Sequence, residues 1–294
     1  MKINIISASV NSLNIANRGN VQGDELLARF WVDALQDHPK VTEVGLNSPG
    51  DFDVGISFSV NLAPSKGLKV LYMQNVFPKP AWPGTEKVFH QVKNHFDEYI
   101  FTSDKLRDKC EDGLVVPFCT NKKVYYPREY DKQLDYDACF VGNKIRDDDT
   151  NDKFIYALKD LNLGLFGNPE GWESPMCKGK IGFEEEATLY SSSKSSINMT
   201  LREHLENGCI NFRIYNALAC KGFVITDYME ELEEFKDCVV FSSGGDDLVE
   251  KVKYYKENQE ETQKYREAGY KRVMENHDAT HRAELLVEWL EKKL

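Results

Sequence analysis

Arginine and asparagine, rather than histidine or an activated serine, are the residues in this chain whose types and spacing could do chemistry. In SINMTLREHLENGCINFRIYNALACKGFVITD, residues 196–227, Asn198, Thr200, Arg202, Asn211, Arg213 and Asn216 gather around the end of one strand and the start of the next helix. An arginine held in a cleft must find an anion or lose its solvation for nothing, and each charge-assisted hydrogen bond is worth about 1.5–3 kcal/mol. A diphosphate meets that need at a helix N-terminus, where backbone N–H groups also point outward. The alternative is that Arg213 pairs with Glu203, Glu206 or another carboxylate.

Three further loops offer related chemistry. FVGNKIRDDD, residues 140–149, sets Gly142 and Asn143 for close backbone approach and Arg146 for a phosphate; Asp147, Asp148 and Asp149 read as an exposed helix start rather than a metal site. LFGNPEGW, residues 165–172, places Gly167, Asn168 and Trp172 after a strand, or forms an ordinary turn with an aromatic cap. NRGNVQGDE, residues 17–25, carries Gly19, Asn20 and Gly23 ahead of a helix, and its glycines serve either a ligand or only a turn. Neither half contains the G-x-G-x-x-G dinucleotide fingerprint, and no P-loop, G-x-S-x-G elbow or H-E-x-x-H pattern occurs. His277 and His281 are one helical turn apart without an obvious third ligand, which favours packing or capping near the domain junction over zinc.

These loops need a scaffold of parallel strands. KINIISA, VTEVGLN, FDVGISF, KVLYMQNVF and EYIFTS read as strands, alternating with helices such as GDELLARFWVDALQDH, whose Leu26, Leu27, Phe30, Trp31, Ala34 and Leu35 recur at helical spacing. Residues 115–136 break the rhythm and read as a connection, after which strand and helix alternate again from DACFVGN onward. The expected architecture is α/β, two Rossmann-like domains in tandem, residues 1–130 and residues 131–275, followed by a last helix at 276–294. That helix carries Leu285, Leu286, Trp289 and Leu290, a face to be buried.

The chain has 294 residues and a formal charge of −11, which argues against a general nucleic-acid surface but leaves room for a local basic pocket. Its seven cysteines form no C-x-x-C pair and read as reduced, buried residues. MKINIISASV lacks the long apolar core of a signal peptide, and no segment approaches the roughly 20 apolar residues of a membrane span. A cytoplasmic protein without an integral membrane segment is the expectation.

An ordered series across about residues 135 to 285, namely DACFVGN, LGLFGNPEGW, LYSSSKSSINMT, NFRIYNALACKGFVITD, DDLVEKVKYYKEN and GYKRVMENHDATHR, resembles the donor-binding half of GT-B glycosyltransferases. It is most similar to the small bacterial "glycosyl transferases group 1" related to spore-maturation-type proteins. The first half resembles that family's acceptor domain through the loop at Gly19 and Gly23 and through YIFTSDKLRDKC.

The resemblance implies transfer of a sugar from a nucleoside diphosphate sugar to a hydroxyl of a glycan or lipid-linked acceptor, in bacterial surface glycan or polysaccharide synthesis. It also implies the GT-B arrangement, two Rossmann-like domains facing a central cleft with the C-terminal helix, residues 276–294, packing back across the junction onto the N-terminal domain; no cofactor and no essential metal are implied. Donor binding falls to Gly142, Asn143, Arg146, Gly167, Asn198, Arg202, Asn211, Arg213, Ile214 and Asn216, with Gly19, Asn20 and Gly23 on the acceptor side and Arg213 beside the leaving diphosphate. Asp24 is the candidate base if the reaction inverts; a carboxylate there otherwise caps the helix. The family pattern reads Arg-x-Phe-Glu-Ala-Leu-Ala-Cys-Gly-Gly, with glutamate near the ribose hydroxyls. Here Asn216 stands at the glutamate position and Lys221 at the first glycine, which puts donor identity in question. A sugar-nucleotide epimerase and a non-catalytic nucleotide-sugar-binding module are the rival readings; a nicotinamide oxidoreductase lacks its fingerprint.

Overall fold

The computed structural model describes residues 1–7, 23–74, 77, 81–172 and 175–294. The first half contains β1 (Lys2–Ile6), α1 (Gly23–Gln36), β2 (Glu43–Leu46), β3 (Val54–Ser57), β4 (Leu68–Met73), α2 (Thr85–Val92), β5 (Glu98–Phe101), α3 (Asp104–Cys110) and β6 (Leu114–Val115). These strands form one parallel sheet in the order β2-β1-β3-β4-β5-β6. Helices cover its faces, so the inner strands are apolar on both sides, and all of β3 is buried. The α1 stripe expected from its spacing is buried throughout, with Trp31 packed edge-on to Phe58 and tilted against Tyr72.

The second half contains β7 (Ala138–Val141), α4 (Asp148–Phe154), β8 (Leu163–Phe166), α5 (Phe183–Ser192), β9 (Ser196–Asn198), α6 (Arg202–Asn207), α7 (Phe212–Ala219), β10 (Val224–Thr226), β11 (Val239–Phe241), α8 (Asp246–Glu257), α9 (Gln259–Asn276) and α10 (Ala279–Glu291). Its sheet is again parallel, ordered β11-β10-β9-β7-β8. In each sheet the chain first steps one way and then reverses past its starting strand. The reversal opens a crevice at the carboxyl ends of β1 and β3 in one sheet and of β7 and β9 in the other. Two Rossmann-like units are thus present. Among the described residues no helix is long and apolar enough to cross a membrane, and all seven cysteines are free thiols.

α10 packs on α1. Its buried face is Ala279, Ala283, Leu286, Val287 and Leu290; Leu285, expected inside, is exposed, because the face is set by the α1 contact and not by the most apolar pair. His38 meets Glu284 at 3.0 Å and Lys293 meets Glu98 at 2.7 Å, tying the last helix to the first sheet's elements. The chain thereby crosses between the two halves twice, and the crossings are bonded to each other. Thr120 N donates to the His277 carbonyl at 3.0 Å, and Ala279 N donates to the Thr120 carbonyl at 2.8 Å. Asp278 caps α10 through Thr280 N and also accepts from Lys122 N at 2.8 Å.

His277 stacks on Tyr215 and Phe235 at this junction, the packing role expected for it. Burial, with Arg282 and Arg272 adding their charge, lowers its pKa to about 3. Because the unfolded histidine titrates near 6.5, the unfolded chain binds the extra proton between the two values. His277 therefore contributes its stability fully above about pH 6.5 and loses it as the pH falls toward 3.

Two outcomes are expected. Asp278→Ala removes a cap and strands a buried N–H, and should lower unfolding free energy by about 2 kcal/mol in urea titrations. His277→Gln should flatten the fall in melting temperature between pH 6.5 and 4; an unchanged slope would assign that fall to other groups.

Candidate functional site

The site is built outward from the start of α7. Asn211 caps the helix, its side-chain oxygen accepting from Arg213 N at 3.0 Å, and its amide nitrogen donates to Asn198 Oδ1 at 2.8 Å. Arg213 reaches across the crevice where the strand order reverses. Its Nε donates to the Val141 carbonyl at the end of β7, 2.8 Å, and its Nη1 to Asn198 Oδ1 at the end of β9, 3.0 Å. The guanidinium lies 4.5 Å from the centre of the Phe140 ring. Asn198 is fixed in turn by donating to Thr226 Oγ1 at 2.9 Å, and Thr226 donates to Asp227. Asp227 also accepts from the backbone and side chain of Thr200, both at 2.9 Å.

Gly142 leaves room for this arrangement: a Cβ there would stand 2.8 Å from Arg213 Nη2 and 3.0 Å from the Phe140 ring. A Cβ at Gly167, at the end of β8, would run into the Gly142 carbonyl. Trp172 Nε1 donates to that carbonyl at 2.9 Å, and Asn143 Oδ1 accepts from Asn168 N at 2.8 Å, so the two loops are stitched together. Arg146 donates from Nη2 to the Met199 carbonyl at 3.1 Å and shares the Phe140 ring.

The result is a cleft of about 260 Å³, with Gly142, Asn143, Arg146, Gly167, Asn211 and Arg213 on the second-half wall and Gly23 and Leu26 of α1 opposite. Phe212 closes the gap between them, packing on Phe118 and against Gly23, where a Cβ would come within 3.0 Å of its ring. Among the described residues neither Arg146 nor Arg213 forms an ion pair with a carboxylate. Burial lowers the Arg213 pKa, and burial together with Arg213 brings Arg146 to about 9; both remain cations at neutral pH.

Several expected residues stand elsewhere. Arg202 does not reach this cleft: its side chain is 80% exposed and pairs with Glu206 one turn along α6, 3.0 Å. Ile214 is a core residue, and Asn216 is buried and does not line the cleft; its amide oxygen and nitrogen have no hydrogen-bond partner among the described residues. Asn198 is buried behind Arg213 and acts by holding it. Gly19 and Asn20 lie outside the described residues. Asp24 is the second residue of α1, and its side chain is likewise outside them. The acidic run behaves as a helix start, with Asp147 capping α4 and Asp149 paired to Lys153.

Two cleft residues have no obvious signal in the sequence. Glu186 sits among three successive glutamates, which read as a solvated first turn, yet it alone lines the cleft. His204 is two residues from Arg202 on a six-residue helix, too short for a period to separate its faces. Burial and the two arginines lower His204 to about 4, so it is uncharged at neutral pH.

Residues 147–288 match the family model described as glycosyl transferase-like. No curated protein matches the sequence. Among solved structures the chain is similar to sucrose-phosphate synthase of Thermosynechococcus elongatus, at TM-score 0.72 and 13% identity over 99% of this chain and 98% of that one. It is similar to HepE of Anabaena in complex with UDP-glucose, at TM-score 0.69 and 11% identity over 99% of this chain and 100% of that one. A third is the BGT enzyme of T4 phage in complex with its substrate UDP-glucose, at TM-score 0.59 and 12% identity over 99% of each chain. The second half thus matches a glycosyl transferase-like family model over residues 147–288, and along its whole length the chain has the GT-B fold of these solved structures.

Proposed function

We propose that the cleft holds a nucleoside diphosphate sugar with its diphosphate on Arg146 and Arg213, and that the sugar passes to a hydroxyl of a glycan or lipid-linked acceptor presented from the α1 side. The observation that carries this reading is the pair of partly buried cations, neither of which forms an ion pair with a carboxylate among the described residues. Two desolvated positive charges side by side are unfavourable until an anion joins them, and a diphosphate brings the matching charge and oxygens spaced for both.

As the bond from the sugar's anomeric carbon to the diphosphate breaks, negative charge grows on the leaving oxygen. Cations already fixed in place stabilise that charge without reorganising. The acceptor oxygen bonds to the anomeric carbon, and in an inverting reaction its proton goes to a base on the acceptor side, for which Asp24 is the candidate. Uncharged His204 is available to hydrogen-bond the donor. HepE and the phage enzyme were solved with UDP-glucose, which makes it the first donor to test.

Calorimetry with UDP, GDP, ADP and CDP should find one nucleotide bound in the micromolar range. Arg213→Ala should weaken that binding at least about 10-fold, the loss of one charge-assisted contact. Arg146→Ala should weaken it also, whereas Arg202→Ala, removing an exposed pair, should change it by less than about 2-fold. Equal effects at Arg202 and Arg213 would overturn the site. Gly142→Ala should keep the melting temperature near wild type while weakening the nucleotide, because its Cβ displaces the Arg213 guanidinium. Transfer should persist in EDTA, and a strict need for added divalent cation would show that the arginines are not the sole charge at the diphosphate.

A further inference from the structure

Glu186 is a carboxyl on the wall of a cleft whose other charged groups are cations, and it pairs with none of them: no ion pair joins it to any lysine or arginine among the described residues. Instead its two oxygens each take one phenol. Oε1 accepts from Tyr190 at 2.6 Å, and Oε2 accepts from Tyr125 at 3.0 Å. Both tyrosines are fully buried, and burial, reinforced by Glu186 itself, raises their pKa values well above the usual range, so both hydroxyls stay protonated and remain donors. They fix the carboxyl in one orientation while filling two of its roughly four acceptor sites.

Burial raises the pKa of Glu186, against the two phenols and Arg213, which favour its charged form. The helix that carries Glu186, α5, packs on α7, along which Arg213 and Cys220 stand two turns apart. Asn216 lies between those two residues on the same helical stripe, with both amide atoms unpartnered. A carboxylate in this place repels a diphosphate, so the anion does not account for it. What it matches is a set of hydroxyl donors next to the anion.

We propose that Glu186, oriented by Tyr125 and Tyr190, is the cleft's receptor for the hydroxyls of a sugar ring esterified to the bound diphosphate. This rests on the reading that Arg146 and Arg213 hold that diphosphate. Two rings of the donor have the right chemistry, the ribose of the nucleoside and the sugar to be transferred, and the same measurement separates them.

The experiment is calorimetric binding of four probes, inorganic pyrophosphate, UDP, 2′-deoxy-UDP and UDP-glucose, to wild type, Glu186→Gln and Arg213→Ala. Pyrophosphate reports on the arginines alone: Arg213→Ala should lose it, and Glu186→Gln should bind it as well as wild type or better. Wild type should prefer UDP over 2′-deoxy-UDP, or UDP-glucose over UDP, by about 10-fold or more, and Glu186→Gln should bring that ratio close to one. Loss of the first preference assigns the ribose; loss of the second assigns the transferred sugar. Retention of both ratios in Glu186→Gln, or absence of both in wild type, overturns the proposal while leaving the diphosphate reading intact. Pyrophosphate binding unaffected by Arg213→Ala, or absent from wild type, overturns the diphosphate reading and this proposal with it. Should Glu186→Gln fail to fold, Tyr190→Phe removes one orienting phenol and keeps the carboxyl. It should lower the same ratio and move its pH dependence upward, a shift that a purely structural tyrosine would not produce.

Discussion

Everything at this site depends on how one guanidinium is held. Arg213 gives its N–H groups to a backbone carbonyl and a side-chain amide, both neutral, so it is fixed without being neutralised. One compensating carboxylate, Asp227, is set one layer back behind Asn198, Thr226 and Thr200. A direct ion pair with Glu203 or Glu206 would have used up the charge, and a free arginine would have paid the full entropy of ordering on binding. The neutral cradle avoids both, keeping the cation in position and its charge available.

The cradle exists because the sheet reverses its order between β7 and β9. Parallel strands end together, so Val141 and Asn198 lie side by side there, and α7 begins close enough for one side chain to span them. Phe140 supplies an aromatic face under both arginines, which lowers the cost of removing two like charges from water. Gly142 and Gly167 are small for the same reason: the loops of β7 and β8 are stitched so tightly that side chains at these positions would displace the guanidinium or the neighbouring backbone.

The sequence carried the alternation of strand and helix, the stripe of α1 and the gathering of Gly142, Asn143, Arg146, Gly167, Asn211 and Arg213, because glycine, helix caps and cations mark strand ends by their local physics. It could not separate residues that differ only in the direction they face. Arg202 and His204 are two apart on a helix of six residues, and one points to solvent while the other lines the cleft. Glu184, Glu185 and Glu186 are chemically alike, and only the partnership of the third with Tyr190 one turn on and with the distant Tyr125 distinguishes it. Lys221 is a related case. It stands where the family pattern has glycine and still adopts the left-handed backbone, φ 55°, that glycine takes freely. Contacts from α9 hold it there, Glu267 on its ammonium and Arg266 on its carbonyl.

The double crossing at Thr120 and Asp278 bears on how such a chain can fold during synthesis. The face of α1 that receives α10 is part of the first half, yet its cover is made only after the whole second sheet has been translated. Until then the first half leaves the ribosome with the apolar face of α1 that α10 covers still open. The second half is not symmetrical in this respect, since its strands and the helices α4 to α9 are contiguous in the chain. The cover of the first half is therefore the last part of it to be made, and the same segment carries the bonds that join the two crossings.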